Sequence, residues 1–256
     1  MPNNKHLEAS PEYALSIERV AEGAACWIRD LSLTFKKGSW TAILGRSGIG
    51  KSTILHIIAG LLPRSSSPIE VRASAFFGSE KAAQQQIAWM SQQYSLLPWA
   101  STLENILIGA RLRGKITLTE QSRAIALLKL LGLTEKIHAQ VSTLSGGMQQ
   151  RVSLARVLFE DRPIVCLDEP FSALDAATKV ELYPLVRSHL QGRTVIQVTH
   201  DPREALTLAD QIYVLKGDPA SVGWQWSLEK TGFSRDSPGF SQAESGWGRE
   251  MLEIMR

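Results

Sequence analysis

Only two cysteines occur in the 256 residues, Cys26 and Cys166. They show no metal-ligand spacing, so a zinc site or a disulfide framework does not organise this chain, and both are expected to be reduced and buried. No apolar run approaches the roughly 20 residues that a membrane span requires. The first residues, MPNNKHLEASPEY, lack the apolar core of a signal peptide. The expectation is therefore a cytosolic chain whose membrane role, if it has one, comes through a partner. There is no block of Lys and Arg, and a net charge of +3 is mild. Nucleic acid is accordingly not an expected partner. Sustained heptads are missing too, which excludes a long coiled coil.

What is present is a composition of 44% hydrophobic and 21% charged residues, as in globular proteins with a substantial core. The most informative stretch is GRSGIGKST, residues 45–53, between the apolar runs Trp40–Leu44 and Ile54–Leu62. Gly45, Gly50, Lys51 and Ser52 fit the P-loop pattern, with Arg46, Ser47, Gly48 and Ile49 forming the loop between. A strand, a glycine loop and a helix in that order can curl successive N–H groups around an anion and add the positive end of a helix dipole. Lys51 would reach the β- and γ-phosphates of a nucleotide, the Ser52 hydroxyl would ligate Mg²⁺, and Thr53 could add a phosphate contact.

Along the chain, residues 1–12 read as a loose leader, and Ala14–Val20 and Trp27–Phe35 read as strands before the Lys36-Lys37-Gly38 turn. A breaker-rich loop (63–68) precedes two weaker strands, Ile69–Phe77 and Ile87–Ser91, separated by the polar segment 78–86. Residues 95–142 change character: Leu103, Ile106, Leu107 and Ala110, and later Ile125, Leu128 and Leu131, recur at helical spacing. This reads as a helical subdomain inserted in an α/β domain. Pro163–Leu167 and Thr194–Thr199 are continuous apolar runs of buried parallel strands, Val180–Leu190 and Arg203–Ala209 are helical, and Gln211–Leu215 is a further strand. Residues 217–256, rich in Gly, Ser and Trp, carry no assignable chemistry beyond a closing helix at Gly248–Met255.

Two further motifs carry chemistry. IVCLDEP (164–170) ends an apolar strand in two carboxylates, with Asp168 suited to hold Mg²⁺ beside Ser52 and Glu169 suited to polarise an attacking water. LSGGMQQR (144–151) leads into a helix, and either presents Ser145 and free N–H groups to an anion or is simply an N-capped helix with Ser145 as the cap.

With these motifs the sequence resembles the ATP-binding cassette family over nearly its whole length. They occur in the family's order: P-loop, Gln92 of the Q-loop, signature 144–147, Walker B 164–169, SALD at 172–175, and His200. Gln93 competes with Gln92 for the Q-loop role; Gln92 is chosen for its offset from Pro98. The resemblance implies an α/β fold with a P-loop NTPase core and mostly parallel sheet, an N-terminal antiparallel β subdomain and the helical insertion. The ATPase domain would span 13–216, with core segments 13–94 and 143–216, helical subdomain 95–142, and an extension at 217–256. It further implies that two copies close head to tail over two ATP molecules, each held between the P-loop of one chain and Ser145, Gly146 and Gly147 of the other. Glu169 would be the catalytic carboxylate, His200 would hold the γ-phosphate and water, Gln92 would touch Mg²⁺ and water, and Asp175 would communicate across the dimer.

The helical subdomain would dock an integral-membrane permease on the inner face of the cell membrane, served indirectly by a solute-binding protein. LLPWASTLENI (96–106) resembles the ATPases of nitrate, sulfonate, taurine and thiamine-precursor importers, with Trp99 either a docking anchor or a core residue. Val20–Ala25, where the family places an adenine-stacking aromatic, contains none; Trp27 is the nearest candidate and Tyr13 a poorer one. Met148 stands where the family often has Gln. The competing function, an ATPase acting on nucleic acid or ribosomes, would call for two cassettes or a coiled coil, neither of which this sequence contains.

Overall fold

The computed structural model describes residues 12–61, 69–76, 86–114, 116–231, 235 and 240–255. Most of the expected leader, the loop at 63–68, Phe77 and residues 78–85 lie outside the described residues. Two sheets form the frame. The first is a three-stranded antiparallel sheet in the order β2-β1-β4, from β1 (Glu12–Glu22), β2 (Ala25–Lys36) and β4 (Ile69–Phe76). The second has six strands in the order β5-β6-β7-β3-β8-β9. These are β3 (Trp40–Leu44), β5 (Ile87–Met90), β6 (Ile164–Asp168), β7 (Thr194–Thr199), β8 (Gln211–Lys216) and β9 (Ser221–Ser227). Strands β5, β6, β7, β3 and β8 run parallel, while β9 closes the edge antiparallel to β8.

The parallel strands are buried on both faces, so they read as unbroken apolar runs. Side-chain alternation divides them between two cores. Ile43, Ile164, Cys166, Ile196, Val198 and Leu215 face helix α1 (Lys51–Ala59) and the antiparallel sheet. Leu44, Val165, Leu167, Val195 and Val214 face the remaining helices. The Tyr213 hydroxyl fastens the two sheets together, donating to the Thr34 carbonyl at 3.1 Å and accepting from the Thr34 N–H at 3.2 Å.

Helices α2 (Thr102–Arg113), α3 (Leu118–Leu130) and α4 (Gly146–Glu160) pack together on one side. Both α2 and α3 start with capping boxes, Ser101/Glu104 and Thr117/Glu120. Each box satisfies backbone N–H groups that would otherwise be orphaned at a helix start. The buried stripe of α3 runs Ala124, Leu127, Leu128, with Leu131 just beyond; Ile125 sits at its margin. Helix α5 (Ala176–His189) begins one turn earlier than its apolar pattern suggests, because Asp175 caps it by accepting from the Thr178 N–H at 2.9 Å. Helix α6 spans Pro202–Leu208 and the short α7 spans Leu228–Thr231.

The C-terminal segment differs from its sequence reading. Glycine and serine conceal strand β9, which pairs along β8, and the closing helix α8 (Phe240–Ile254) begins eight residues earlier than expected. Met251 is buried, and Trp247 stacks edge-on against Trp226 of β9 with ring centroids 5.3 Å apart. Cys166 is buried as expected, whereas Cys26 is only half-buried: it lies beside the β1–β2 irregularity at Val20/Ala21, its thiol 3.4 Å from the Ile28 carbonyl. Among the described residues no helix is long and apolar enough to cross a membrane.

Candidate active site

Strand β3 sits between β7 and β8, where the sheet order reverses, and doubly wound sheets open a crevice at the carboxyl ends of such strands. The loop 45–50 leaves β3 there and turns into α1. Gly48 and Gly50 take φ of 81° and 100°, a region that a side chain disfavours. Gly50 also lies so close to β2 that a Cβ would meet Ile28 at 3.1 Å. Helices α2 to α6 are each capped by a side chain, from Ser101, Thr117, Ser145, Asp175 and Asp201. Helix α1 has only Gly50 before it and no side-chain cap, leaving its first N–H groups open to a ligand.

Lys51 is buried and its ammonium donates to the carbonyls of Gly45 (2.8 Å) and Arg46 (3.1 Å). Burial pulls its pKa down, opposed by the nearby carboxylates of Glu169 and Asp168. Asp168 ends β6; burial pushes its carboxyl pKa up, opposed first by a hydrogen bond from the Ser52 hydroxyl. Its Oδ1 is buried with no hydrogen-bond partner. An orphaned carboxylate oxygen beside a hydroxyl suits Mg²⁺, which takes one or two protein oxygens and completes its shell with water and phosphate. The residues therefore fit that ion, and Ser52 and Asp168 are the ones that could hold it.

Glu169 follows in a left-handed conformation, φ 50°, which is uncommon for a residue with a side chain. Its N–H donates to the Val198 carbonyl at 3.0 Å, and its carbonyl accepts from Gln150 Nε2 at 2.9 Å and Ser172 Oγ at 3.1 Å. This turn aims the carboxylate at His200, whose Nδ1 lies 3.0 and 2.9 Å from the two oxygens. The imidazole itself is 58% exposed and so faces the crevice instead of the core.

The carboxyl ends of β3, β6 and β7 thus bring together Gly45–Thr53, Asp168, Glu169 and His200. Gln92 lies in the turn just after β5, one strand over from Glu169, with an exposed side chain. Ser145, Gly146 and Gly147 stand elsewhere: Ser145 caps α4, accepting from the Met148 N–H at 3.3 Å, and a Cβ on Gly147 would lie 3.0 Å from the Ala173 carbonyl oxygen. Asp175 caps α5 and is exposed. Tyr13 pairs with Phe35, seven positions along β2 from the Ile28 that touches the P-loop, or more than about 20 Å at 3.3 Å per residue. That distance removes Tyr13 from adenine stacking. Trp27, beside Ile28 and half-buried, stays near the loop.

Three polar residues went unnoticed in the sequence. Gln150 is buried on the apolar stripe of α4 that continues through Ser153, Leu154 and Val157; a lone glutamine on such a stripe is the signal that could have revealed it. Asn105 is fully buried, its amide holding the loop 97–101 through Leu97 and Ser101, and this loop presents Trp99 at 73% exposure. Glu204 of α6 is 2% exposed, hydrogen-bonded to Gln197, with Tyr183 Oη at 3.5 Å and Lys179 Nζ at 3.6 Å from α5.

Burial raises the Glu204 pKa from 4.5 to about 7, against the pull of Lys179. Protonation thus favours the folded state, and this contribution is complete below pH 4.5 and lost as pH rises through about 7. Glu204→Gln should flatten the decline in melting temperature across that window; an unchanged slope would assign the pH dependence elsewhere.

Comparison with known proteins agrees with this geometry. The ABC transporter family profile matches residues 28–172. An aliphatic sulfonates import ATP-binding protein of Rhodococcus jostii is 40% identical over 190 residues, 73% of this chain and 72% of that protein. A taurine import ATP-binding protein of Pseudomonas aeruginosa is 36% identical over 213 residues, 82% of this chain and 78% of that one. The chain belongs to the ABC transporter family. Among solved structures, a dimeric ATP-binding cassette in a post-hydrolysis state, bound to ADP and Pi, superposes with a TM-score of 0.71 at 29% identity, covering 84% of this chain and 98% of that one. This cassette is accordingly an ATP-binding ATPase subunit of the importer class, built from an antiparallel and a mostly parallel sheet. The alternating apolar runs and the P-loop in its sequence reflect that architecture.

Proposed function

We propose that this cassette powers uptake of a small organic or oxyanionic solute, of the sulfonate, taurine or nitrate kind, by closing as a head-to-tail pair over ATP. The observation that carries the reading is the convergence of Lys51, Asp168, Glu169 and His200 at the carboxyl ends of the central strands, with Glu169 held 2.9 Å from His200. The open N–H groups of α1 and the Lys51 ammonium bind the phosphates; reaching them, Lys51 exchanges its Gly45 and Arg46 carbonyls for phosphate oxygens. Glu169 orients the attacking water and accepts its proton, and His200 holds both that carboxylate and the γ-phosphate. Mg²⁺, held by Ser52 and Asp168 with Gln92 nearby, would supply charge neutralisation on the phosphates. Ser145, Gly146 and Gly147 serve the partner's nucleotide. This fits the packing of Gly147 against the Ala173 carbonyl in the segment 172–175, and Asp175 would lie along the same interface.

The permease docks on the helical region 95–142. Trp99 is too exposed to serve the core, and the Asn105 network and the Ser101/Glu104 box hold its loop ready. The chain would then lie at the inner face of the membrane, with a binding protein delivering solute from the other side. Affinity-tagged chain drawn from detergent-solubilised membranes should bring a multi-span permease with it. Trp99→Ala should weaken that association about 30-fold, in line with the ~2 kcal/mol of an aromatic hot spot, while basal ATP hydrolysis stays unchanged. Recovery with nucleic acid or ribosomes, and no permease, would overturn the transport reading.

A further inference from the structure

One buried side chain links the signature helix to this chain's own hydrolytic carboxylate. Gln150 is 1% exposed and lies four residues past Gly146 on the same face of α4, about 6 Å along its axis. Its Nε2 donates to the Glu169 carbonyl at 2.9 Å and to Ser172 Oγ at 3.2 Å, and its Oε1 accepts from the Ala173 N–H at 2.8 Å. The amide orientation is forced: reversed, its oxygen would face the Glu169 carbonyl oxygen and its NH₂ would face the Ala173 N–H. Ser172 reinforces the grip, since its own N–H and hydroxyl reach the Glu169 carbonyl at 3.3 and 3.1 Å.

The residue gripped is the strained one. Glu169 at φ 50° needs its surroundings to hold it, and its peptide groups are fixed on one side by Val198 and on the other by Gln150 and Ser172. Gly147, one turn before Gln150, packs on the Ala173 carbonyl so closely that a Cβ would sit 3.0 Å from its oxygen and one of the two would have to shift. The first turn of α4 and the segment 169–174 are therefore tied together through Gln150 and Gly147.

We propose that Gln150 is a positioning residue that transmits the seating of the signature helix to Glu169, so that docking of the first turn of α4 on one nucleotide sets the carboxylate serving the other. This rests on the reading of Glu169 as the catalytic carboxylate. Removing the link misdirects a carboxylate without touching the phosphate contacts of the P-loop, so turnover should suffer and nucleotide binding should not.

The test is steady-state ATP hydrolysis by the purified full chain, with nucleotide affinity and melting temperature measured in parallel. Gln150→Met keeps the volume and removes all three hydrogen bonds. Its kcat should fall about 10- to 100-fold, as small misplacements of a reacting group do, with KM for ATP within about twofold of the parent. Combined with Glu169→Gln, it should slow single-turnover hydrolysis no further and still permit an ATP-trapped dimer. Should Gln150→Met not fold, Gln150→Glu, which keeps the acceptor for Ala173 and loses both donors, is judged by the same criteria. Wild-type kcat in a folded variant overturns the proposal, as does a joint loss of affinity and kcat, loss of the trapped dimer in the double variant, or failure of both variants to fold. If Glu169→Gln alone retains turnover, the assignment of Glu169 has failed; if it is inactive while folded Gln150→Met is normal, only the role of Gln150 falls.

Discussion

Glu169→Gln should leave ATP binding intact, lower kcat by about 10²- to 10⁴-fold and accumulate an ATP-bound dimer. The substitution is nearly isosteric and changes one property, the ability to accept a proton. The proposed phosphate contacts come from Lys51 and the start of α1, whose hydrogen bonds do not involve the Glu169 side chain. The backbone bonds to Val198, Gln150 and Ser172 are unaffected, so the strained turn persists. What is lost is the carboxylate facing His200. Size-exclusion chromatography with and without ATP, alongside phosphate release, provides the measurement. Normal turnover would refute Glu169 as the base.

Lys51→Ala should act earlier in the cycle, weakening ATP affinity itself by about 30-fold or more, consistent with the 2–5 kcal/mol lost when one partner of a desolvated charge pair is removed. Lys51 is the buried cation at the loop, balanced by Asp168 and Glu169 and depressed in pKa by burial. Its loss removes the ammonium that offsets two carboxylates at the place where phosphates would enter. The lysine's hydrogen bonds go to the carbonyls of buried Gly45 and exposed Arg46, so a melting temperature measured alongside separates lost affinity from lost fold. Equilibrium binding of a fluorescent ATP analogue distinguishes this from a purely catalytic defect; unchanged affinity would remove Lys51 from phosphate binding.

Local sequence made a good part of this protein legible. Continuous apolar runs marked β3, β6 and β7 because strands buried on both faces need no polar residues, and the glycines at 48 and 50 marked a turn only small residues can make. Asp175 was harder to read. The resemblance makes it an interface residue, whereas the folded chain uses its side chain to cap α5. Strand β9 was missed because its glycine and serine carry little strand propensity, and pairing along β8 overrides that weak local preference.

By itself, the sequence determined the class of chemistry: which residues could hold phosphate, polarise water and cap helices, since those capacities belong to residue types at fixed spacing along the chain. Tertiary structure alone decided how they were aimed. It placed Trp99 in solvent, set Tyr13 far along the sheet from the P-loop, twisted Glu169 toward His200, and brought Gln150, nineteen positions away, onto the Glu169 carbonyl. Such contacts depend on which faces of distant elements meet, and that is set by how two cores pack around one sheet.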